Sequence, residues 1–519
     1  SFKHVSSDTV LEIIKNMDSS KAYQKDNIPP RILKNNSELA AVVLAKDINR
    51  CIDEGKFPSN LKKSDVTPVY KKDDRLLKKN YRPISILPTL SKIYERVLHQ
   101  QLYEYFNNIF SKYLCGYRSG YNTQHTLLYM LEILKKALDQ KMFTGILMTD
   151  LSKAFDCLSH ELIIAKLYAY GLSKNSLELI SDYFVDRRQR TKISESYSNW
   201  RDILIGVFQG SILGPLGFNI YINDLFFLTD SFTISNYADD NSPYETGFSN
   251  EEVITKLEEN AYFLLEWFKN NYMKPNPEKW HLLLSSPDNN LCIKIGQEII
   301  YNSNSEKILG VTFDNKLSFK SHINKLCKKA SQKLYALARV SNFMSFHQRQ
   351  MIMDAFISSH FTYCPIVWMS HSRALNNQIN KIHHRALSIV HKDYISSFKT
   401  LLEKSNSVTI HIRNIQQLAV EIFKAQKNLS PSFMSEMFIS KETKYNLRCG
   451  KSIVSNAPRT STYGINCVSN LAPKIWNLIP TSIKNSSNVI IFKKLIKSWV
   501  PQPCPCNLCR EYIQNIGYI

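Results

Sequence analysis

Asp239 and Asp240 stand side by side in the stretch SFTISNYADDNSPYE. Phe232, Ile234 and Tyr237 have polar residues between them, and Asn241, Ser242 and Pro243 offer turn chemistry before Tyr244. The stretch therefore reads as a β-hairpin with two carboxylates at its tip. Adjacent carboxylates repel, so a fold that keeps them together usually supplies a cation. Hard oxygen ligands on a tight turn suit Mg²⁺, which binds through one or two carboxylates plus substrate phosphates. An isolated Asp-Asp is more often a solvated turn, so the reading needs acids elsewhere. Asp150 is the candidate, because it ends the short apolar run Ile146-Leu147-Met148 just before a turn. Asp156 is a further acid there, equally able to cap or pair structurally. Together Asp150, Asp239 and Asp240 can hold two Mg²⁺ ions, one activating a primer 3′-hydroxyl and one neutralising a triphosphate and its leaving pyrophosphate. In-line phosphoryl transfer needs mainly such positioning and charge neutralisation.

Other residues have the types that bind a nucleotide. Lys71 and Lys72 follow the strand candidate Asp65–Tyr70, and Arg82 lies in NYRPIS. Such cations can neutralise a triphosphate, Arg through a rigid bidentate fork; a solvated basic loop is the alternative. In GVFQGSILGPLGFNIYINDL, Gly210 permits close backbone approach to a substrate and Gln209 can hydrogen-bond it. Lys279 sits just before the apolar strand Leu282–Leu284, where it can reach a phosphate, act as a general acid, or stay a solvated loop residue. No Ser-His-Asp order, phosphate-binding GKS/T loop or HExxH competes for the chemistry.

These residues need strands and helices to position them. Residues 1–60 read as short helices, with Leu11, Ile14, Leu39, Val42 and Val43 at helical spacing, broken at Asp26–Pro30. Helices are expected over 91–109, 122–139 and 251–270, and one beginning at Ser159. A strand over Ile308–Phe313 leads into a long helix whose apolar face is Ile323, Leu326, Ala330, Leu334 and Leu337. Lys325, Lys328, Lys329 and Lys333 lie largely off that face; a basic stripe can follow a nucleic-acid backbone, or be merely solvated. Residues 348–500 read as mainly helical, with His383, His384 and His391 expected to contact solvent or phosphate. Cys504, Cys506 and Cys509 hint at zinc, but a structural site needs a fourth ligand.

A chain of 519 residues exceeds one core and suggests about three or four units. Hydrophobic residues make up 44% and charged ones 21%, an ordinary globular composition. The formal charge of +21 points to a polyanion, nucleic acid or a membrane surface. No run of about 18 apolar residues suggests a membrane span. The 11 cysteines are mostly scattered singly, the pattern of reduced, intracellular thiols. The chain opens on SFKHVSSDTV without Met and reads as a piece of a longer frame.

The ordered series NYRPISIL, TDLSKAFDCLSHELI, QGSILGPLGFNIYINDL, YADD, MKPNPEKW and LGVTFDNKLSF resembles the reverse transcriptase of non-LTR (LINE-like, jockey-type) retrotransposons, over about residues 60–345. YCPIVW, APKIWNLIP and the terminal cysteines look like the carboxyl-terminal part of the same reading frames. The resemblance implies an α+β right-hand polymerase with fingers, an antiparallel-sheet palm and a helical thumb. The expected division is a helical extension (1–60), fingers and palm (61–300), thumb (301–380) and a mainly helical C-terminal region (381–519). It implies Asp150, Asp239 and Asp240 as the acids holding two Mg²⁺ or Mn²⁺ ions, and Phe155 as a steric gate against a ribose 2′-hydroxyl. It also implies Arg82 and Lys71 or Lys72 on the triphosphate, Gln209 and Gly210 lining the nucleotide pocket, and Lys279 as the lysine after the catalytic hairpin. Lys325, Lys328, Lys329 and Lys333 would line the duplex from a thumb helix. The implied partners are an RNA template, a DNA primer or target and deoxynucleoside triphosphates, in the nucleus and a cytoplasmic ribonucleoprotein, with no membrane. Full-length relatives carry an endonuclease that nothing in residues 1–60 matches.

Phe208 replaces the family's usual proline, Gly217 a leucine and Trp280 a smaller residue. Gly217 in a helix costs about 1 kcal/mol relative to Ala, with lost leucine packing beyond that, and Trp280 is expected to overpack. These changes keep a decayed, nucleic-acid-binding relic open as the alternative, and the palm acids alone leave an RNA-dependent RNA polymerase open too.

Overall fold

The structure, a computed structural model, describes residues 1–20, 22–24, 28–228, 233–438 and 457–502. Cys504, Cys506 and Cys509, Phe232 and the Asp26-Asn27 break lie outside the described residues. The chain forms two compact units. The first comprises residues 1–117, 150–231 and 263–276; the second, 118–149, 232–262 and 277–519.

The first unit holds a sheet centred on strand Lys63–Tyr70. Strand Tyr81–Ile86 pairs with it antiparallel, setting Arg82 opposite Val69. Strand Arg188–Ile193 pairs with it parallel, from Lys63 to Val66 only. That pairing stops short of Pro68, which has no N–H to give a ladder. Asp65 and Arg190 form an ion pair across the two strands at 2.7 Å. Around the sheet lie helices, among them Ser37–Glu54, Thr89–Asn107, His160–Ala169, Lys174–Phe184 and Leu213–Ile222. Ser37–Glu54 buries Ala41, Leu44, Ala45 and Ile48, and leaves Leu39, Val42 and Val43 exposed, the reverse of the face expected from the sequence. Both stripes are apolar, and the one that meets helix Ser7–Lys15 is buried.

The departures at Phe208 and Gly217 are absorbed locally. Phe208 is buried beneath the Arg187 guanidinium, 4.8 Å from its ring. A Cβ at Gly217 would stand 3.3 Å from Ile163 Cδ1, so the helices Leu213–Ile222 and His160–Ala169 have closed on the glycine and left no leucine-sized void. Glu95, also fully buried, accepts the N–H groups of Ile212 (2.6 Å) and Leu213 (3.3 Å) at the start of helix Leu213–Ile222. Those are groups a helix start leaves without internal partners.

The second unit holds a four-stranded antiparallel sheet in the order Thr233–Tyr237, Asp240–Gly247, Phe143–Met148, His281–Leu284. Strand Phe143–Met148 is central and buried from Thr144 onward, as its unbroken apolar run requires. A Cβ at Gly145 would come within 2.8 Å of side-chain carbons of Val253, Leu257 and Leu284, so glycine lets helix Asn250–Asn270 lie close on the strand. Trp280 is buried just before the edge strand. The strand expected at Ile308–Phe313 is instead a hairpin of Ser305–Ile308 with Val311–Asp314. Leu309 and Gly310 turn it, with φ of 44° and 87°, a turn that matches the strands' twist.

The rest is helical, including Lys320–Val340, Arg373–His391, Ile410–Gln426 and Val468–Leu478. The last part of the chain is tied to helix Thr123–Asp139. Glu132 accepts the Val468 N–H at 2.8 Å, and Asp139 accepts the N–H and hydroxyl of Thr460 at 2.6 and 2.7 Å. Among the described residues, no helix is long and apolar enough to cross a membrane.

Candidate active site

The acidic hairpin turns earlier than the sequence suggested. Tyr237 pairs with Asp240, so Ala238 and Asp239 make the turn. Asn241, Ser242 and Pro243 are not turn residues but buried members of strand Asp240–Gly247. Ala238 has φ of 58°, a left-handed conformation that costs a non-glycine residue about 1 kcal/mol. Two buried asparagines hold it there. Asn236 Nδ2 donates to the Ala238 carbonyl and to Asn241 Oδ1, each at 2.9 Å. Asn241 Nδ2 donates to the Asp239 carbonyl at 3.3 Å. The result is a turn clamped from beneath, with Asp239 and Asp240 exposed above it.

The same clamp reaches the central strand. Thr149 follows strand Phe143–Met148 and donates its N–H and its hydroxyl to the Asn241 carbonyl. Asp150 is the next residue in the chain. Within the first unit its carbonyl accepts the Asn276 N–H at 3.0 Å, Leu151 is bridged to Pro275, and the Ser152 N–H meets the Lys274 carbonyl at 2.8 Å. Lys279 is exposed on the short 3₁₀ turn Pro277–Lys279 that leads into strand His281–Leu284.

A second group of candidates converges within the first unit. Gln209 donates its side-chain amide to Asp156 Oδ1 at 3.2 Å, and its carbonyl accepts the Ser85 N–H at 2.8 Å. Burial pushes the Asp156 carboxyl above the usual range, and the Gln209 bond draws it back. Gly210 has φ of 128°, and a Cβ there would lie 2.5 Å from the Ser85 carbonyl oxygen, so only glycine fits this approach. The Phe155 ring stacks on Phe218 at 4.9 Å and meets Tyr117 edge-on at 5.9 Å. Arg82 is exposed on the strand that carries Ser85, and Lys71 and Lys72 are exposed beyond the partner strand's end. Lys325, Lys328, Lys329 and Lys333 are all exposed on helix Lys320–Val340, while Ile323, Ala330, Leu334 and Leu337 are buried.

The structure thus groups Phe155, Asp156, Gln209 and Gly210 in one unit, and Asp239, Asp240 and Lys279 in the other. It adds two residues that spacing and polarity did not single out, Thr149 and Asn236, and gives Asn241, read from the sequence as a turn residue, a buried role in a strand. Their signal was polar residues inside strands that otherwise pattern as buried. His383, expected near solvent or phosphate, is instead buried against Phe398, because it falls on the inner face of helix Arg373–His391.

Residues 69–313 match the family described as reverse transcriptase (RNA-dependent DNA polymerase). That stretch, just under half of the chain, is similar to a reverse transcriptase domain. It is 26% identical over 412 residues to the probable RNA-directed DNA polymerase from transposon BS of Drosophila melanogaster, covering 75% of this chain and 45% of that protein. To the RNA-directed DNA polymerase from mobile element jockey of the same species it is 26% identical over 335 residues, covering 62% and 36%. The chain therefore spans under half the length of these relatives. Among solved structures, apo telomerase from Candida tropicalis is similar over 70% of this chain and 63% of that one, with 12% identity and a TM-score of 0.41. The similarity to transposon polymerases is that of a LINE-like reverse transcriptase, and the α+β build with an acid-bearing antiparallel sheet is the polymerase fold expected of the domain.

Divalent metal ions are general to the reverse transcriptase family that residues 69–313 match. Among the described residues, no three His, Cys, Asp or Glu side chains converge as a ready-made metal cluster. The donors at the hairpin nevertheless fit Mg²⁺: two exposed, adjacent carboxylates on a clamped turn, where Mg²⁺ takes one or two carboxylates and completes its shell with water and substrate phosphates.

Proposed function

We propose that this chain is the polymerase of a non-LTR retrotransposon, copying an RNA template into DNA by adding deoxynucleotides to a primer 3′-hydroxyl. The observation that carries the reading is the pair of hydrogen bonds from Thr149 to the Asn241 carbonyl. In the chain Asp150 directly follows Thr149, and Asp240 directly precedes Asn241. Asp150, Asp239 and Asp240 would hold two Mg²⁺ ions, which when bound acidify the primer hydroxyl and neutralise the triphosphate.

The chain's own groups then have separable tasks. Arg82, Lys71 and Lys72 offer cations to the triphosphate, and Lys279 offers another after the hairpin. Gln209, oriented by Asp156, and Gly210 form a wall of the nucleotide site. Phe155, braced by Phe218, excludes a ribose 2′-hydroxyl. Phe208 and Gly217 are both accommodated in packed surroundings, which favours a working domain over a decayed one.

Primer extension on an RNA template with Mg²⁺ and deoxynucleotides tests the reading. Asp239→Ala should abolish synthesis while the melting temperature and RNA affinity stay near wild type. Synthesis above trace level in that variant would sink the metal assignment. RNA binding by the wild type without synthesis would favour the relic.

A further inference from the structure

We infer that the second unit holds an anion site separate from the polymerase residues, shaped for the phosphate of a nucleotide. The site is a cavity of about 510 Å³ between the start of helix Thr123–Asp139, the turn at 358–365 and one face of helix Ile410–Gln426. None of Asp150, Asp239, Asp240 or the nucleotide-site candidates lines it.

The charge on its walls is unevenly spent. Glu421 is fully engaged: His125 Nε2 lies 2.9 Å from one oxygen, and Lys424 and Gln417 donate to the other at 2.9 and 3.1 Å. Burial pushes its carboxyl up, but the bonds from His125 and Lys424 hold it below the usual range, so it stays ionised and consumes the charge of Lys424. Arg413, on the same helix two turns earlier, has no hydrogen bond or ion pair among the described residues. Burial pushes its pKa down and the field of Asp354 only partly offsets this. Asp354 itself accepts from Gln350 at 2.9 Å. A half-buried guanidinium without a hydrogen-bonded anion carries a desolvation cost, and its planar fork matches phosphate oxygens.

Other donors converge on the same cavity. Asn122 caps the His125 N–H, so the N–H groups of Thr123 and Gln124 at the cavity wall have no acceptor among the described residues. They stand at the positive end of a 17-residue helix. Asn414, 2% exposed and also on the wall, has an amide nitrogen with no partner among the described residues. Donors come from two separate elements and would approach an anion from different sides. A tetrahedral phosphate presents oxygens in several directions, which suits this arrangement better than a planar carboxylate. On a chain of net charge +21, the phosphate at hand is that of a nucleotide, free or within an RNA strand.

The inference is tested on the full chain by titration with AMP and with a 5′-labelled 12-nucleotide single-stranded RNA. Wild type is compared with Arg413→Met, which keeps the aliphatic stem, and with Thr362→Trp, which blocks the rim at an exposed residue and keeps the test alive should the first variant misfold. Loss of affinity of about tenfold or more for either probe in a folded variant supports the site. AMP that displaces the RNA assigns the site to strand phosphates, and AMP that binds without displacing it assigns the site to free nucleotides. If neither probe loses affinity in either folded variant, the inference is overturned, whatever the fate of the polymerase reading, which is followed separately by primer extension.

Discussion

Thr149 donates twice to the carbonyl of Asn241, through its N–H at 3.0 Å and its hydroxyl at 2.8 Å. One acceptor thereby fixes where the central strand ends relative to the acidic hairpin. Asn241 passes the constraint on: its side-chain oxygen accepts from Asn236, which also holds the carbonyl of Ala238. The exposed acids thus rest on a buried polar network rather than on each other. Buried networks of this kind rigidify only when every member is satisfied.

Asn236→Ala should therefore do more than remove a side chain. It leaves Asn241 Oδ1, on a fully buried residue, without its donor, and frees the strained Ala238 to relax. A loss of about 1–3 kcal/mol is expected. Asn236→Asp should be worse than Ala, because a carboxylate would face two oxygens that now receive N–H bonds. Thermal denaturation checks the order, and primer extension should fall by more than the loss of folded protein accounts for. Equal stability of all three forms would show that the network does not hold the turn.

Phe155 has two roles to separate. Its ring packs at 4.9 Å and 18° on Phe218, so it is part of the core as well as the proposed guard against ribonucleotides. Phe155→Val should raise the ratio of ribonucleotide to deoxynucleotide incorporation while costing about 1–3 kcal/mol from lost stacking and a partial cavity. Phe218→Leu should cost stability in a similar range with a smaller change in sugar selection, since Phe155 would remain. If Phe155→Val leaves the incorporation ratio unchanged, the ring is only structural and the RNA-polymerase alternative regains ground.

Most helices and the strand after Lys279 were legible because spacing and polarity carried them: Ser159 does cap helix His160–Ala169, and Leu282–Leu284 is in a strand. The hairpin turn was misplaced because Asn-Ser-Pro is strong turn chemistry, whereas burial of Asn241 depends on Asn236 and Thr149, one of them nearly a hundred residues away. Strand Arg188–Ile193 was invisible for a related reason. Its sequence RQRTKI has no apolar alternation, and it is held by an ion pair from Asp65 and by Arg190 lying 4.0 Å from the Tyr197 ring and 4.6 Å from Trp200. The inner stripe of helix Ser37–Glu54 could not be chosen from the sequence, since both stripes are apolar. In each case the deciding partner is far away in the chain or equivalent to a competitor nearby.

His383 gives the chain an acid-sensitive point. Burial, then the charges of Arg413 and His384, drop its pKa to about 3, and neither ring nitrogen has a partner among the described residues. The unfolded chain takes up this proton near pH 6.5, and the folded chain does not until about pH 3. Stability contributed by the neutral ring is therefore present above about pH 6.5 and is lost as the pH falls toward 3, by about 2 kcal/mol at pH 5. His383→Phe replaces two unsatisfied nitrogens with carbon beside the Phe398 ring. It should raise the melting temperature at pH 7.5 and raise it further at pH 5. A variant no more stable than wild type at pH 5 would mean that the histidine is solvated or paired in solution.

The lysine stripe on helix Lys320–Val340 makes the last prediction, because exposure alone does not distinguish a binding face from a solvated one. Lys325, Lys328, Lys329 and Lys333 are exposed, and none forms an ion pair with a carboxylate among the described residues. Their charges are therefore available to phosphates. Changing all four to Gln keeps helix propensity and should leave the melting temperature within about 0.5 kcal/mol of wild type in free-energy terms. If the stripe follows a template–primer duplex, the log–log salt dependence of binding should become shallower by about 0.9 for each phosphate that is no longer neutralised, or about 0.7 on single strands. Affinity at low salt should fall uniformly across sequences, since backbone phosphates carry no base information. An unchanged salt slope in the quadruple variant would return the stripe to the status of solvated surface and move the nucleic-acid path elsewhere on the chain.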